Sequence, residues 1–207
     1  MHTKQLRTAG KKLKEASGVL FLIHGRGGSA EDILGLADHL EVKDLTLIAP
    51  QATNNTWYPY SFLAPPSENE PWLSSALDLL KDLTADVQAQ GIKAENIYFL
   101  GFSQGACLTL EFVTRNATKF GGVAAFTGGL IGDRIYADNY TGDFGGTTIF
   151  IGSGDPDPHV PVQRVNDSVV LLEKMNARVI KKIYPHMGHT ITQDEISTVN
   201  THIFQTK

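Results

Sequence analysis

The sequence predicts an α/β fold: a mostly parallel sheet covered by helices on both faces. Three observations carry that prediction. Short apolar runs alternate along the chain with longer amphipathic stretches. The runs are almost unbroken Val, Ile, Leu and Phe, as strands must be when helices shield both faces of a sheet. The chain has 207 residues, 42% of them hydrophobic and 19% charged, which suits one soluble core in a single domain over residues 1–207.

Residues 4–9 are of mixed polarity and suit an edge strand. Residues 19–24 form the first buried strand and run into His24-Gly25-Arg26-Gly27-Gly28. Ser29 then caps a helix with Glu31 and Asp32 in its first turn. Residues 45–49 form the next strand. Residues 51–71 lack a helical or strand pattern and carry Pro59, Pro65, Pro66 and Pro71 with the rings Trp57, Tyr58, Tyr60 and Phe62. An irregular segment of that length in a compact domain usually has a function. Residues 73–90 form a long amphipathic helix that stops at Gly91. Strands follow over 97–101, 123–127, 147–152 and 178–184, with helices over 104–115, 162–176 and 191–204.

Strand 97–101 leads directly into Gly101-Phe102-Ser103-Gln104-Gly105. Gly-x-Ser-x-Gly alone is a weak signal, but a strand before it and a helix after it form a nucleophile elbow. The turn is so sharp that a Cβ on either flanking glycine would collide with the crossing strand and helix. A serine hydroxyl needs a base within hydrogen-bond reach, and the base needs a group to fix its tautomer. On this topology the acid and then the histidine follow on loops after later strands.

Strand 147–152 is followed by Asp155-Pro156-Asp157-Pro158-His159, and strand 178–184 by Pro185-His186-Met187-Gly188-His189. Each loop offers a choice. Asp157 is favoured over Asp155 because it lies further along its loop, among the prolines that fix the turn. His189 is favoured over His186 because it follows Gly188 and precedes the last helix, so its ring leans back over the sheet. The oxyanion donors are the backbone N–H groups of Gln104, after the nucleophile, and Arg26, in the glycine loop. His24 braces that loop. Trp57 and Tyr58 are candidates for a substrate wall, ahead of Phe62.

Other chemistries fit less well. A net charge of −4 argues against nucleic-acid or anionic-membrane partners. No apolar run follows the basic N-terminus as in a signal peptide, and the run 19–23 is too short to span a bilayer. The single Cys107 excludes an internal disulfide and reads as a core residue. A cytoplasmic protein with no integral membrane contact is expected. Gly25-x-Gly27-x-x-Ala30 matches a relaxed dinucleotide fingerprint, but residues 47–51 lack the acid it needs. Prolines interrupt Asp155, Asp157 and His159 as a metal cluster, so neither metal nor cofactor is expected. The Arg26 side chain is a weaker candidate for anchoring an anionic substrate. A ligand-binding scaffold on a hydrolase fold is the alternative from another class, but such proteins typically lack part of the triad.

Residues Ile23-His24-Gly25-Arg26-Gly27, Gly101-Phe102-Ser103-Gln104-Gly105, Asp157-Pro158-His159-Val160-Pro161 and Gly188-His189 resemble the phospholipase/carboxylesterase family of α/β-hydrolases. The likeness runs from about residue 17 to the C-terminus. It implies an α/β-hydrolase fold with no separate cap domain. It also implies a triad of Ser103, Asp157 and His189, with oxyanion donors at Arg26 and Gln104. The family includes small carboxylesterases, lysophospholipases and acyl-protein thioesterases. Eukaryotic thioesterases read His-Gly-Leu-Gly-Asp where this chain has His-Gly-Arg-Gly-Gly, which favours a small-molecule ester as substrate. Dienelactone hydrolases are also somewhat similar, but they use Cys where this chain has Ser103. The sequence leaves a homodimer open.

Overall fold

A computed structural model describes residues 1–204. Among them, seven strands form one sheet: β1 (Leu6–Gly10), β2 (Gly18–Ile23), β3 (Leu45–Pro50), β4 (Ile97–Phe102), β5 (Gly122–Phe126), β6 (Thr148–Asp155) and β7 (Arg178–Pro185). Their order is β1-β3-β2-β4-β5-β6-β7. Only β1 is antiparallel, pairing Leu6 with Pro50 at the sheet edge; the other pairings are parallel.

Helices α1 (Ala30–Gly35), α2 (Trp72–Ala89), α3 (Gln104–Arg115), α4 (Val162–Lys174) and α5 (Gln193–Val199) cover the sheet. The period-2 alternation of strand side chains divides the core between its faces. Val19, Phe21 and Ile23 of β2 pack towards α2, α3 and α4. Leu20 and Leu22 pack towards α1 and α5. All five of these side chains are fully buried, and each contributes about 1.5–3 kcal/mol by leaving water.

Strand order reverses between β2 and β4. The chain leaves β2 for β3 on one side, whereas the strands after β4 are added on the other. Loops that diverge this way open a crevice at the carboxyl ends of the strands. The glycine loop after β2 and the elbow after β4 meet there.

Predicted and observed bounds differ by more than two residues in two elements, β6 and the last helix. Strand β6 runs on through Gly154 and Asp155, so Asp155 ends a strand and Asp157 is free to turn into the loop. The expected helix over 191–204 is instead α5 followed by a π-helical turn at Asn200–Phe204. Its start is set by Thr192, which forms a capping box with Glu195. The helix at Ser29 does start at that cap but spans only six residues before a 3₁₀ turn at Leu36–His39.

Candidate active site

Ser103 sits between β4 and α3 with φ 56° and ψ −120°, a conformation an L-residue adopts only when its surroundings impose it. A Cβ on Gly101 would overlap the Gly105 carbonyl, and one on Gly105 would overlap the Ile23 carbonyl. The two glycines therefore let β2, β4 and α3 close to backbone contact, which lifts the Ser103 hydroxyl out of the sheet.

The histidine and acid arrive on the loops after β7 and β6. His189 Nε2 lies 2.7 Å from Ser103 Oγ, and His189 Nδ1 lies 2.8 Å from Asp157 Oδ2. The Asp157 side chain is shielded from solvent, while His189 keeps partial exposure. Burial pushes the Asp157 carboxyl pKa up, but the N–H groups of His159 and Val160 and the His189 ring outweigh it and hold the pKa below the ordinary value. Both N–H groups bond Oδ1, at 2.7 and 2.9 Å. Asp157 is therefore an acceptor only, so Nδ1 of His189 donates to it and Nε2 accepts from Ser103. The imidazole packs on Phe102, at a centroid distance of 5.3 Å, and on His159, at 5.0 Å. His186 is exposed and occupies a turn with φ 60°, where its N–H bonds the Asp155 carbonyl at 2.7 Å.

The N–H of Gln104 is the first of the twelve-residue helix α3, so it has no intrahelical acceptor and points with the positive end of the helix dipole. Gly25, next to Arg26, lies so close to the elbow that a Cβ there would come within 3.4 Å of Ser103 Cβ. That brings the two expected oxyanion residues together around one serine. His24 is buried, and its burial lowers its pKa against a backbone hydrogen bond to Gly25. It is neutral, donating to the Gly25 carbonyl at 2.7 Å and accepting from the Ala52 N–H at 3.1 Å. It braces the loop.

The side chains of Arg26 and Gln104 converge on one segment, an arrangement sequence reasoning missed. Arg26 donates to Thr56 Oγ1 (3.0 Å), the Pro59 carbonyl (2.9 Å) and the Tyr60 carbonyl (2.7 Å). Gln104 Oε1 accepts from the Trp57 N–H (2.8 Å) and Thr56 Oγ1 (3.2 Å), and Nε2 donates to the Tyr58 carbonyl at 2.8 Å. The Gly27 N–H adds a bond to the Asn55 carbonyl at 2.7 Å. The guanidinium is thus engaged by the protein rather than presented to an anionic substrate.

The cleft at Ser103 has a volume of about 560 Å³, with Tyr58, Phe62, Leu63, Cys107 and Val160 in its wall. Trp57 is a correction: it is fully buried and absent from that wall. Its indole donates to the His24 carbonyl at 2.8 Å and its ring packs on His24, because the indole N–H of a buried Trp needs an acceptor. Tyr58 and Phe62 do line the cleft. Among the described residues, no group of three or more His, Cys, Asp or Glu is arranged to hold a metal ion, and no helix is long and apolar enough to cross a membrane.

A serine on an elbow of this fold, in reach of a histidine and a buried aspartate, defines an α/β-hydrolase with no separate cap among the described residues. The family model described as Phospholipase/Carboxylesterase matches residues 5–207. The chain belongs to that family, and it is an ester-hydrolysing enzyme. It is similar to a crystal structure of a phospholipase/carboxylesterase from Dyadobacter fermentans, with 55% identity, a TM-score of 0.96 and coverage of 98% of this chain and 97% of that one. It is 27% identical to the probable carboxylesterase SOBER1-like of Arabidopsis thaliana, over 88% of this chain and 76% of the relative. It is 28% identical to acyl-protein thioesterase 1 of Kluyveromyces lactis, over 89% and 90%.

Proposed function

We propose that Ser103, His189 and Asp157 cleave small carboxylic esters or thioesters through an acyl-enzyme. His189 Nε2 takes the Ser103 proton as Oγ attacks the carbonyl carbon. Asp157 stays ionised, fixes the tautomer and stabilises the imidazolium. The N–H groups of Arg26 and Gln104 hold the oxyanion. The carbon–oxygen or carbon–sulfur bond then breaks, and His189 passes its proton to the departing alcohol or thiol. Water, deprotonated by His189, attacks the acyl-enzyme and releases the acid and Ser103.

The observation that carries this reading is the relay from Asp157 through His189 to Ser103, at 2.8 and 2.7 Å. Ser103→Ala should abolish p-nitrophenyl butyrate hydrolysis while leaving circular dichroism and Tm intact; unchanged turnover would remove the serine from the mechanism. The departure from the thioesterase pattern at Arg26 and Gly28 of the glycine loop favours short acyl groups. An ester panel of graded acyl length tests this. A strong preference for palmitoyl esters would favour instead the activity named for the acyl-protein thioesterase relatives.

A further inference from the structure

A second cavity, of about 420 Å³, flanks the glycine loop. Its wall includes Gly25, Ile33, Gly35, Leu36, Phe102 and Ile191. Arg26 borders both this cavity and the cleft at Ser103. The reason lies in the fold: α1 leaves the crevice towards one face of the sheet and α3 towards the other. The volume falls in the range of small-ligand sites.

We infer that this cavity receives the alcohol or thiol half of the substrate, an apolar group such as hexyl or benzyl. The inference rests on the proposed attack by Ser103. In the tetrahedral intermediate, the acyl chain and the leaving atom diverge from one carbon and require two separate spaces. One space is the cleft walled by Tyr58 and Phe62. The leaving atom must also take its proton from His189 Nε2. The second cavity is bordered by Phe102, whose ring packs on His189 at 5.3 Å, and by Ile191, two residues past His189. It approaches the nucleophile through Gly25, where an added Cβ would come within 3.4 Å of Ser103 Cβ.

The chemistry of the wall selects an apolar occupant. His24 faces the cavity but binds Gly25 and Ala52, Arg26 is held by Thr56, Pro59 and Tyr60, and His39 lies exposed in the wall. Asp32 holds the Ser29 N–H and hydroxyl in the α1 cap. Ile33, Leu36, Phe102 and Ile191 supply apolar surface.

Gly35 offers a direct test. It has φ −58° and ψ −23°, and a Cβ there meets nothing within 4 Å, so a side chain can enter without strain. Gly35→Ala, Gly35→Leu and Gly35→Trp would fill the cavity by steps. The readout is kcat/KM, which reports acylation, the step in which the alcohol is still bound. Ethyl, butyl, hexyl and benzyl acetates vary the alcohol; ethyl acetate, butyrate and hexanoate vary the acyl group. For the unsubstituted enzyme, each buried alcohol methylene should raise kcat/KM by up to roughly fourfold. The hexyl-to-ethyl ratio should fall stepwise and drop at least tenfold in Gly35→Trp, as the space for two or more methylenes is lost. The butyrate-to-acetate ratio should hold. If the folded variants leave the hexyl-to-ethyl ratio unchanged, or change the acyl ratio in its place, the assignment is overturned. A fluorophosphonate label on Ser103 separates the two levels. Labelled variants with unchanged ratios refute the cavity alone, whereas an unlabelled parent enzyme refutes the catalytic reading beneath it.

Discussion

Gln104→Leu separates the two roles of residue 104. The backbone N–H stays, but the side-chain clamp on residues 56–58 is lost. The residue is buried, so the Trp57 N–H and the Tyr58 carbonyl lose partners now at 2.8 Å each. Thr56 Oγ1 keeps the Arg26 guanidinium at 3.0 Å. The Tyr58 carbonyl keeps the Thr56 hydroxyl at 3.0 Å, so one buried group, the Trp57 N–H, is orphaned, at a loss of about 2 kcal/mol. For a chain of this size that lowers Tm by about 4–8 °C. Because segment 56–60 links the Gln104 side chain to Arg26 of the glycine loop, the proposed oxyanion donors should also lose alignment. Complete loss of one donor costs about 10²–10³ in kcat, so a displaced donor should cost about 10–100-fold, mainly in kcat rather than KM. Thermal unfolding and p-nitrophenyl butyrate kinetics measure both effects. A lowered Tm with an unchanged kcat would refute the link between clamp and oxyanion hole.

Asp157→Asn should present the wrong histidine tautomer and reduce kcat by about 10⁴-fold with little change in circular dichroism. The same variant reports on pH. The folded pKa of Asp157 is depressed, so its ionised form stabilises the fold above the unfolded value near 3.9 and ceases to do so as pH falls through the folded value. The stability gap between parent and variant in urea titrations should therefore be full at pH 7 and shrink through that acid window; a gap that widens in acid would contradict the assignment. Glu111 is buried on α3 and accepts from Arg115 Nε (2.7 Å), the Ile131 N–H (3.1 Å) and the Tyr140 hydroxyl (2.8 Å). Glu111→Ala should cost about 3–5 kcal/mol, visible as a lower denaturation midpoint, and a shift below 1 kcal/mol would refute the network.

The sheet and the candidate triad are legible because each leaves a local mark. Buried parallel strands are continuously apolar, the elbow needs Gly101 and Gly105, and the acid and histidine must follow particular strands. What the sequence hid depends on partners far apart in the chain. Gln104 reaches Trp57 and Tyr58 across more than forty residues, and nothing in a Gly-x-Ser-x-Gly pattern marks its middle side chain as a clamp. Arg26 similarly looks like a free cation until its three acceptors come into place. Trp57 departs from expectation for the same reason: an aromatic in a proline-rich loop suggests a binding wall, but its ring packs inward on His24. The late start of α5 carried a readable signal, since Thr192 and Glu195 have the spacing of a capping box. Glu195 is held there against β6, where a Cβ on Gly152 would strike its carboxylate.

Ser103 is the proposed nucleophile, activated by His189. Intact-mass spectrometry after treatment with a fluorophosphonate, followed by peptide mapping, tests it most directly. One adduct per chain is expected, on Ser103, formed at a rate that collapses in His189→Ala and lost in Ser103→Ala. Labelling at another residue, or equal labelling of the Ser103→Ala protein, would contradict it.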